Sequence, residues 1–507
     1  MRTPAVSLLA FALPALATFG HGHGGPPVFR PLVSSGALQS LIKKDDLLAG
    51  AQELQDIADA HGGNRAFGSS GHNATVDFLY YTLKAWDYYD VKKQPFKEIF
   101  ASGTASLSVD GEDIKAETLT YTPAGEAKDT PIVEVANVGC EAADFPAEVE
   151  GNIALIKRGE CTFSQKSINA KAAGAVAAII YNNEEGSLQG TLGEPFLEYA
   201  PVLGITLEAG KAILAKLADG TVTATLKIDA IVEERLTYNV IAETKEGDHD
   251  NVLIVGGHSD SVPAGPGIND DGSGIIGILA VAKALTKFRV KNAVRFAFWS
   301  AEEFGLLGSY AYMRSINSSA TEISKIRAYL NFDMIASPNY VYAIYDGDGS
   351  AFNLTGPTGS DVIERNFERF FKSKHAPSVP TEFSGRSDYA AFIENGIPSG
   401  GLFTGAEVIK TEEEAKLFGG QAGVAYDVNY HQPGDTVENL DLDAFLLNTK
   451  AIADAVASYS VSFRGIPRVD AKKRRWDAFR ARMLKRSTGS HGHAHFHSGP
   501  CGGGATI

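Results

Sequence analysis

Cysteine and positive charge are both scarce in this sequence. The 507 residues include three cysteines, and 46 lysines and arginines stand against 61 aspartates and glutamates, which gives a formal net charge of -15. This acidic balance argues against nucleic acid as a partner, because phosphate contacts need clustered lysines and arginines. Three cysteines spaced this far apart also do not form a zinc cluster.

Long apolar runs are missing as well, apart from one at the start. After it, no segment reaches the roughly twenty uninterrupted apolar residues of a membrane-spanning helix, so we expect no membrane partner. The early run from Ala5 to Ala17 follows Arg2 and ends in the small-x-small pattern of a cleavage site. We therefore predict a signal peptide at residues 1–17. Release from the cell is favoured over a vacuole-like compartment, because nothing resembles a retention address.

The cysteines and the glycosylation triplets fit an exported protein. Cys140 and Cys161 are close enough in sequence to close a short loop in an oxidising compartment, and we predict a disulfide between them. Cys501 is left over, and the sequence leaves open whether it is free, pairs between chains or is removed with a processed tail. Asn-x-Ser/Thr triplets mark candidate glycosylation sites at Asn73, Asn317 and Asn353.

The length exceeds one compact core and predicts two domains. Helical spacing covers residues 35–60 and 73–83, and alternating runs around Asp110-Gly111 predict a hairpin. From Leu236 to Phe463, near-continuous apolar strands alternate with helices, as in an α/β domain with a largely parallel, buried sheet. The basic, histidine- and glycine-rich tail at 464–507 is predicted to be disordered.

Polar clusters follow the apolar strands of this last region, where open α/β sheets bind their ligands. Each cluster alone is typical of a turn or a solvated surface, but their repeated position after strands indicates a site. Two close divalent ions need imidazoles, several carboxylates and one further carboxylate as a base. Asp260 lies two residues after His258 on extended backbone, so we expect its carboxylate to orient that ring. The candidate residues are His258, Asp260, Asp270, Glu302, Glu303, Asp333, Tyr430 and His431.

These segments resemble the co-catalytic zinc aminopeptidases of peptidase family M28. The resemblance rests on Gly257-His258-Ser259-Asp260, Asn269-Asp270-Asp271-Gly272, Ala301-Glu302-Glu303-Phe304-Gly305, Asn331-Phe332-Asp333-Met334, Gly385-Arg386-Ser387-Asp388-Tyr389 and Tyr430-His431. The block at 126–235 resembles the protease-associated domain through Arg158-Gly159-Glu160-Cys161-Thr162-Phe163 and the following Ala172-Ala173-Gly174. Together these similarities span about residues 38 to 462.

The resemblance implies a mixed, mostly parallel α/β fold, the zinc exopeptidase fold, formed by residues 36–125 and 236–463. Residues 126–235 would be a smaller α+β protease-associated insert that caps or shapes the site. The cofactor would be two Zn²⁺ ions per subunit, one held by His258 and Asp333 and one by Glu303 and His431, with Asp270 between them. The peptide bond between Asp270 and Asp271 would be cis.

The resemblance also implies roles for the remaining site residues. Glu302 would be the general base, and Tyr430 would stabilise the oxyanion. The backbone of Arg386 would bind the free amine of the substrate, and Asp388 would help to shape the pocket.

The expected protein is a secreted, monomeric aminopeptidase that acts on peptides with a free amino terminus, with leucine and other apolar residues preferred. Three rivals stay open at this point. A related zinc carboxypeptidase would need a cationic patch for the substrate carboxylate. A glutaminyl-cyclase-like enzyme would use a single zinc, and a non-catalytic, receptor-like binding module would tend to lose ligands.

Overall fold

The structure is a computed structural model that describes residues 30–469. The predicted signal peptide, the tail from residue 470 onwards and Cys501 lie outside these residues. Within them, no helix combines the length and the apolar character that a bilayer crossing requires.

The elements follow the predicted succession of helices, hairpin and α/β units. The helices are α1 (Ser35–Ser40), α2 (Lys44–Ala60), α3 (Ser70–Ala85), α4 (Phe163–Ala172), α5 (Leu207–Asp219), α6 (Gly272–Leu285), α7 (Leu307–Ile316), α8 (Ala320–Lys325), α9 (Ser360–Ser373), α10 (Tyr389–Ile393), α11 (Glu412–Phe418) and α12 (Leu442–Tyr459). The strands are β1 (Tyr89–Val109), β2 (Glu112–Ile114), β3 (Glu117–Thr118), β4 (Gly125–Glu134), β5 (Ile153–Lys157), β6 (Ala177–Tyr181), β7 (Val202–Ile205), β8 (Thr223–Thr244), β9 (Asp248–His258), β10 (Asn292–Trp299), β11 (Ile326–Phe332), β12 (Ala343–Tyr345), β13 (Val379–Thr381) and β14 (Ser399–Phe403).

The larger domain is built on the predicted parallel sheet. Strands β14, β11, β9 and β10 lie side by side and parallel, and β12 and β8 extend them antiparallel at the two sides. The central strands are buried on both faces, which explains why their sequences are apolar without alternation. One face packs against α1, α2, α6, α9 and α12, and the other against α7, α8 and α10.

The N-terminal region is part of this core. The helix predicted over residues 35–60 is two helices, because Lys43 adopts an extended conformation with φ -125° and ψ 140°. Leu38, Leu47 and Leu54 from these helices are fully buried in the main apolar core. A segment that fills the core in this way cannot be removed without opening the larger domain.

The smaller domain is a second parallel sheet. Strands β5, β6 and β7 are parallel to β4, with α4 and α5 packed on them and separate apolar cores on the two faces. The predicted disulfide between Cys140 and Cys161 is present. Buried Lys166 donates hydrogen bonds to the carbonyl oxygens of Val138 and Gly159, and so fastens the loops on either side of the disulfide.

Strands β1 and β8 join the two domains as one long antiparallel ribbon. Its register runs from Tyr89 opposite Thr244 to Val109 opposite Ala224. One end of β8 pairs with β10 in the larger domain, and the other end pairs with β4 in the smaller one. The ribbon therefore crosses from one apolar core to the other without a break. Strand β8 runs through residues 235 and 236, between which the sequence predicts the domain boundary. The predicted hairpin at Asp110-Gly111 is the turn between β1 and β2.

Candidate metal centre

The predicted site residues converge at the carboxyl edge of the larger sheet. His258 ends β9, Glu302 and Glu303 follow β10, and Asp333 follows β11. Because these three strands are parallel neighbours, their side chains meet at the same edge. The turn before α6 adds Asp270, and the loop between α11 and α12 adds His431, Tyr430 and the neighbouring acidic residues.

Asp270 lies between the two histidines. Its Oδ1 is 3.1 Å from His258 Nε2, and its Oδ2 is 3.1 Å from His431 Nε2. Asp333 Oδ1 stands 3.6 Å from His258 Nε2, and Glu303 Oε2 stands 3.1 Å from His431 Nε2. The five predicted ligands thus form two adjoining sets that share the Asp270 carboxylate.

The donor atoms fit divalent cations. His258, Asp270 and Asp333 each offer one atom within 4.8 Å of the others, and so do Asp270, Glu303 and His431. Imidazole nitrogen and carboxylate oxygen are the ligands that zinc prefers besides thiolate. A carboxylate shared between two sets is also what two neighbouring cations require. The residues present therefore suit a two-metal centre.

Glu302 lies beside this centre, with its Oε2 3.8 Å from His258 Nε2. The residue is 5% exposed. Burial raises the pKa of the Glu302 carboxyl well above its usual range, and the neighbouring carboxylates of Glu303 and Asp333 add to the shift. Such a carboxyl holds a proton more strongly than an exposed glutamate does.

The histidines and carboxylates of the two sets shift one another's pKa values. Burial opposes the charged form of His431, but Glu303 and Asp270 outweigh it and raise the pKa of His431 to about 10. Burial likewise opposes the charged form of Asp270, and hydrogen bonds from His258 and His431 nevertheless hold its pKa below the ordinary range. A buried group of carboxylates at this edge is thus stable only with positive charge beside it.

Asp260 contacts both the ring of His258 and the turn that carries the two glutamates. The Nδ1–H of His258 faces the backbone carbonyl of Asp260 at 3.2 Å, whereas the Asp260 carboxylate is 3.7 Å from that nitrogen. The carboxylate also accepts hydrogen bonds from the backbone N–H groups of Glu302 at 3.0 Å and Glu303 at 3.4 Å. Asp260 therefore fastens the turn that carries both glutamates, in addition to fixing the ring through its backbone.

Asp271 ties three of the site's loops together, a function that its sequence motif does not reveal. Its Oδ2 accepts from the backbone N–H of His258 at 3.0 Å, and its Oδ1 accepts from those of Gly274 at 2.9 Å and Met334 at 3.1 Å. The peptide bond between Asp270 and Asp271 is cis, as the resemblance implies.

Arg65 is a second organising residue that sequence reasoning missed. The side chain is fully buried and donates to the carbonyl oxygens of Ser259 at 2.6 Å, Pro266 at 2.9 Å and Gly267 at 2.6 Å. These carbonyls belong to the two loops that carry His258 and Asp270. A single arginine after a helix carries no sequence pattern that would have indicated this role.

Asp435 holds the backbone of the segment that carries the Asp270 carboxylate. Its two carboxylate oxygens accept the backbone N–H groups of Asn269 at 2.8 Å and Asp270 at 3.1 Å. Asp435 is buried, and burial together with the nearby Asp427 raises its pKa to about 8. The segment from Tyr430 to Asp435, which carries the predicted ligand His431, thus contributes structural support as well as donor atoms.

The remaining predicted residues form one side of the site. Ser387 donates from its hydroxyl to Asp333 Oδ2 at 2.5 Å. Its neighbour Asp388 is fully buried, and burial raises the pKa of that carboxyl to about 7. Arg386 is more exposed and donates to the phenolic oxygen of Tyr430 at 3.2 Å.

A further group of acidic residues lies away from this edge, formed by Asp346, Asp348 and Glu364. The Asp346 carboxylate accepts backbone N–H groups from residues 349 to 352, and Glu364 Oε2 accepts those of Gly347 and Asp348 at 3.0 Å. Both carboxylates thus anchor the loop after β12.

A mostly parallel sheet whose carboxyl edge gathers imidazole and carboxylate donors defines the chain as an α/β protein with a candidate metal centre. Residues 239–456 match peptidase family M28, and residues 128–213 match the PA domain. The chain belongs to peptidase family M28 and is a peptidase that carries a protease-associated domain.

Relatives and solved structures agree with this membership. The chain is 57% identical over 466 residues to "Probable leucine aminopeptidase 2" of Aspergillus fumigatus, and the alignment covers 91% of this chain and 92% of the relative. "Leucine aminopeptidase 2" of Trichophyton rubrum is 52% identical over 440 residues, and this alignment covers 87% of the present chain and 88% of the relative. An aminopeptidase from Aneurinibacillus sp. strain AM-1 superposes with a TM-score of 0.61 at 28% identity, covering 86% of this chain and 97% of that one. BSAP, a zinc aminopeptidase from Bacillus subtilis, superposes with a TM-score of 0.59 at 25% identity, covering 82% of this chain and 95% of BSAP.

Proposed function

We propose that this chain is a secreted, two-zinc aminopeptidase that removes leucine and other apolar residues from the free amino end of peptides. The observation that carries the proposal is the pair of donor sets that share Asp270, with Glu302 beside them. The names of the relatives support the aminopeptidase activity and the leucine preference. The similarity to BSAP supports zinc.

In the proposed assignment, His258 and Asp333 would hold one Zn²⁺ ion, Glu303 and His431 would hold the other, and Asp270 would contribute to both. Bound zinc would supply Lewis-acid polarisation of the scissile carbonyl and a more acidic water. The backbone contacts made by Asp260, Asp271 and Arg65 would keep the ligand-bearing loops in register, as supporting hydrogen bonds do in other metal sites.

Glu302 is proposed to move the proton. It would take a proton from the attacking water and give it to the leaving amine, so the bond between carbonyl carbon and nitrogen breaks as the nitrogen is protonated. The raised pKa of the buried carboxyl suits a group that must hold the proton between the two transfers. Tyr430 would donate its phenolic hydrogen to the oxyanion of the tetrahedral intermediate.

Recognition of the free amine would come from the negative charge of the site and from the backbone carbonyl of Arg386, with Asp388 shaping the pocket. A positively charged amino terminus is attracted to a cluster of carboxylates, which accounts for cleavage one residue at a time. A carboxypeptidase would instead need a cation for the substrate carboxylate. Arg386, the cation beside Tyr430, is engaged with Glu407 at 2.8 Å, which favours the aminopeptidase.

Secretion and glycosylation are part of the proposal. The predicted signal peptide and the disulfide in the smaller domain both fit an oxidising route. Asn73, Asn317 and Asn353 all lie exposed on the surface, as glycan acceptors must.

The experiment compares hydrolysis of leucine amide with that of N-acetyl-leucine amide, each with and without a zinc chelator. The proposal expects cleavage of the free amine alone, lost with the chelator and restored by added Zn²⁺. Titration of the metal-free protein with Zn²⁺ should reach two equivalents. Cleavage that survives the chelator, equal cleavage of the acetylated amide or a single equivalent of zinc would contradict it.

A further inference from the structure

A chain of polar contacts links Glu407, Arg386 and Tyr430 at the rim of the metal centre. Arg386 Nη1 is 2.8 Å from Glu407 Oε1, and its Nη2 is 3.5 Å from Glu407 Oε2. The same Nη2 donates to the Tyr430 hydroxyl oxygen at 3.2 Å. The three residues come from different loops, before α10, after β14 and before α12. The guanidinium is therefore held by the glutamate on one side and contacts the phenol on the other.

The ring of Tyr430 is fixed independently of this contact. It stacks on the imidazole of His431 with centroids 3.8 Å apart and an interplanar angle of 28°. His431 belongs to one of the two donor sets. The ring plane is thus set by a residue of the metal centre, and the Arg386 contact sets the surroundings of the hydroxyl.

The direction of the hydrogen bond follows from chemistry. A guanidinium has only donors, so the Tyr430 oxygen must be the acceptor. The phenol's own hydrogen then points away from Arg386. A hydrogen bond from a cation also polarises the hydroxyl and makes it a stronger donor.

Stability does not explain this arrangement. The side chains of Arg386 and Glu407 are 46% and 31% exposed. Ion pairs with this much solvent contact contribute little to folding, because water screens the attraction and ordering two long side chains costs entropy. Because this pair adds little to the stability of the fold and contacts the Tyr430 hydroxyl, we attribute its arrangement to the proposed function of that hydroxyl.

We infer that Arg386 and Glu407 are positioning residues for the reaction: Glu407 holds the Arg386 fork, and Arg386 directs the Tyr430 hydroxyl hydrogen at the developing oxyanion. The inference rests on the proposed function and adds a role for the side chain of Arg386, beyond the backbone contact with the substrate amine. It concerns the step in which the oxyanion forms, so it predicts an effect on kcat.

The test compares Arg386→Met, Tyr430→Phe and the double variant by steady-state kinetics on leucine amide. Loss of one oxyanion donor costs about 10²-fold in kcat. We expect about this loss from Tyr430→Phe, at least about 10-fold from Arg386→Met, and a double variant no slower than Tyr430→Phe, with KM little changed throughout. Glu407→Gln should show a smaller loss of kcat in the same direction.

Two controls separate positioning from damage. Arg365→Met removes an exposed arginine that pairs with Asp361 on α9, away from the site, and should keep full activity. Zinc content and melting temperature should be unchanged in Arg386→Met and Glu407→Gln. Multiplicative losses in the double variant, a rise in KM without a fall in kcat, or a loss of bound zinc would overturn the inference. Wild-type protein without chelator-sensitive cleavage would overturn the proposed function itself.

Discussion

The two domains share a parallel sheet but end their strands in different chemistry. In the smaller domain, β5, β6 and β7 are followed by residues such as Arg158, Asn182 and Thr206. In the larger domain, β9, β10 and β11 lead into a histidine and a series of acidic residues that come together in two donor sets. Parallel strands give both sheets a carboxyl edge, but only the residues that follow the strands decide whether that edge can bind a metal.

Buried charge is also handled differently in the two domains. Lys166 in the smaller domain neutralises no carboxylate at hydrogen-bond distance among the described residues and instead donates to backbone carbonyls. The larger domain groups its buried charges into mutually dependent sets. Substitutions in the smaller domain should therefore change stability and leave kcat alone, whereas those at the metal edge should change kcat or metal binding. The following changes test that division.

The largest effect is expected from Glu302→Gln. The amide keeps the shape of the side chain but cannot take a proton, so kcat should fall by about 10³-fold, within the range of general acid–base catalysis. The melting temperature should stay the same or rise, because a buried ionisable group has been neutralised. Kinetics on leucine amide and calorimetry check both parts.

The matched control is Glu364→Gln, which neutralises another buried glutamate. Burial raises the pKa of Glu364 to about 7, but its carboxylate accepts backbone N–H groups far from the donor sets. It should leave kcat unchanged. Comparable activity of Glu302→Gln and wild type would remove Glu302 from the proposed mechanism.

Arg65→Met should cause the largest loss of stability. It leaves the carbonyls of both ligand loops without their donor and removes a buried positive charge close to Asp260 and Asp435. Removing one partner from a buried charged network typically costs about 3–5 kcal/mol. Chemical denaturation should show a loss of this size, and zinc affinity should fall with it. A stable variant with normal affinity would mean that the loops hold their positions without Arg65.

Removing the disulfide should affect the smaller domain alone. The cysteines are separated by 21 residues, and loop-closure entropy for such a length corresponds to about 3 kcal/mol. The variant with Cys140→Ser and Cys161→Ser should unfold at lower denaturant concentration while kcat on leucine amide stays the same. A fall in kcat at temperatures where the domain is folded would show that the two domains are coupled more tightly than we expect.

The smallest expected effect is the contribution of Lys166 to the pH dependence of the free energy of unfolding. Burial lowers the pKa of its ammonium to about 8, below its value in an unfolded chain. Between pH 8 and about 10.5 the unfolded state binds more protons, so stability rises with pH through this window. The free energy of unfolding of wild type relative to Lys166→Met should therefore increase from pH 8 to 10. Lys171→Met, at an exposed position of the same helix, is the matched control for the loss of a lysine from α4.

The predictable part of the site consists of residues that follow apolar strands. A parallel strand places its next residues at a common edge, so the positions of His258, Glu303 and Asp333 could be inferred from local sequence. Arg65 and Asp271 could not, because their partners are backbone groups in remote loops and backbone groups leave no trace in side-chain patterns. The second contact of the Asp260 carboxylate could not be inferred for the same reason, because its N–H donors at residues 302 and 303 are about forty positions away.

The long ribbon was the largest feature of the fold that the sequence did not reveal. Its strand β1 contains Pro95 and Gly103, residues that normally interrupt strands, and the alternating runs of the sequence predict only the hairpin at its end. Pairing over its whole length with β8 overrides these local signals. The split between α1 and α2 is likewise not evident from the sequence, because the helical spacing continues across the extended Lys43.

Because of the ribbon, the protease-associated domain is an insertion whose two ends lie side by side. Gly103 and Ala230 face each other across the two strands, so the chain leaves the larger domain and returns to it at neighbouring points. An insertion with such closely spaced ends can be gained, lost or exchanged without moving the host's strands, since a short hairpin turn would reconnect them. The same geometry offers protein engineers a defined junction at which one inserted domain can be replaced by another while the residues of the donor sets are left unchanged.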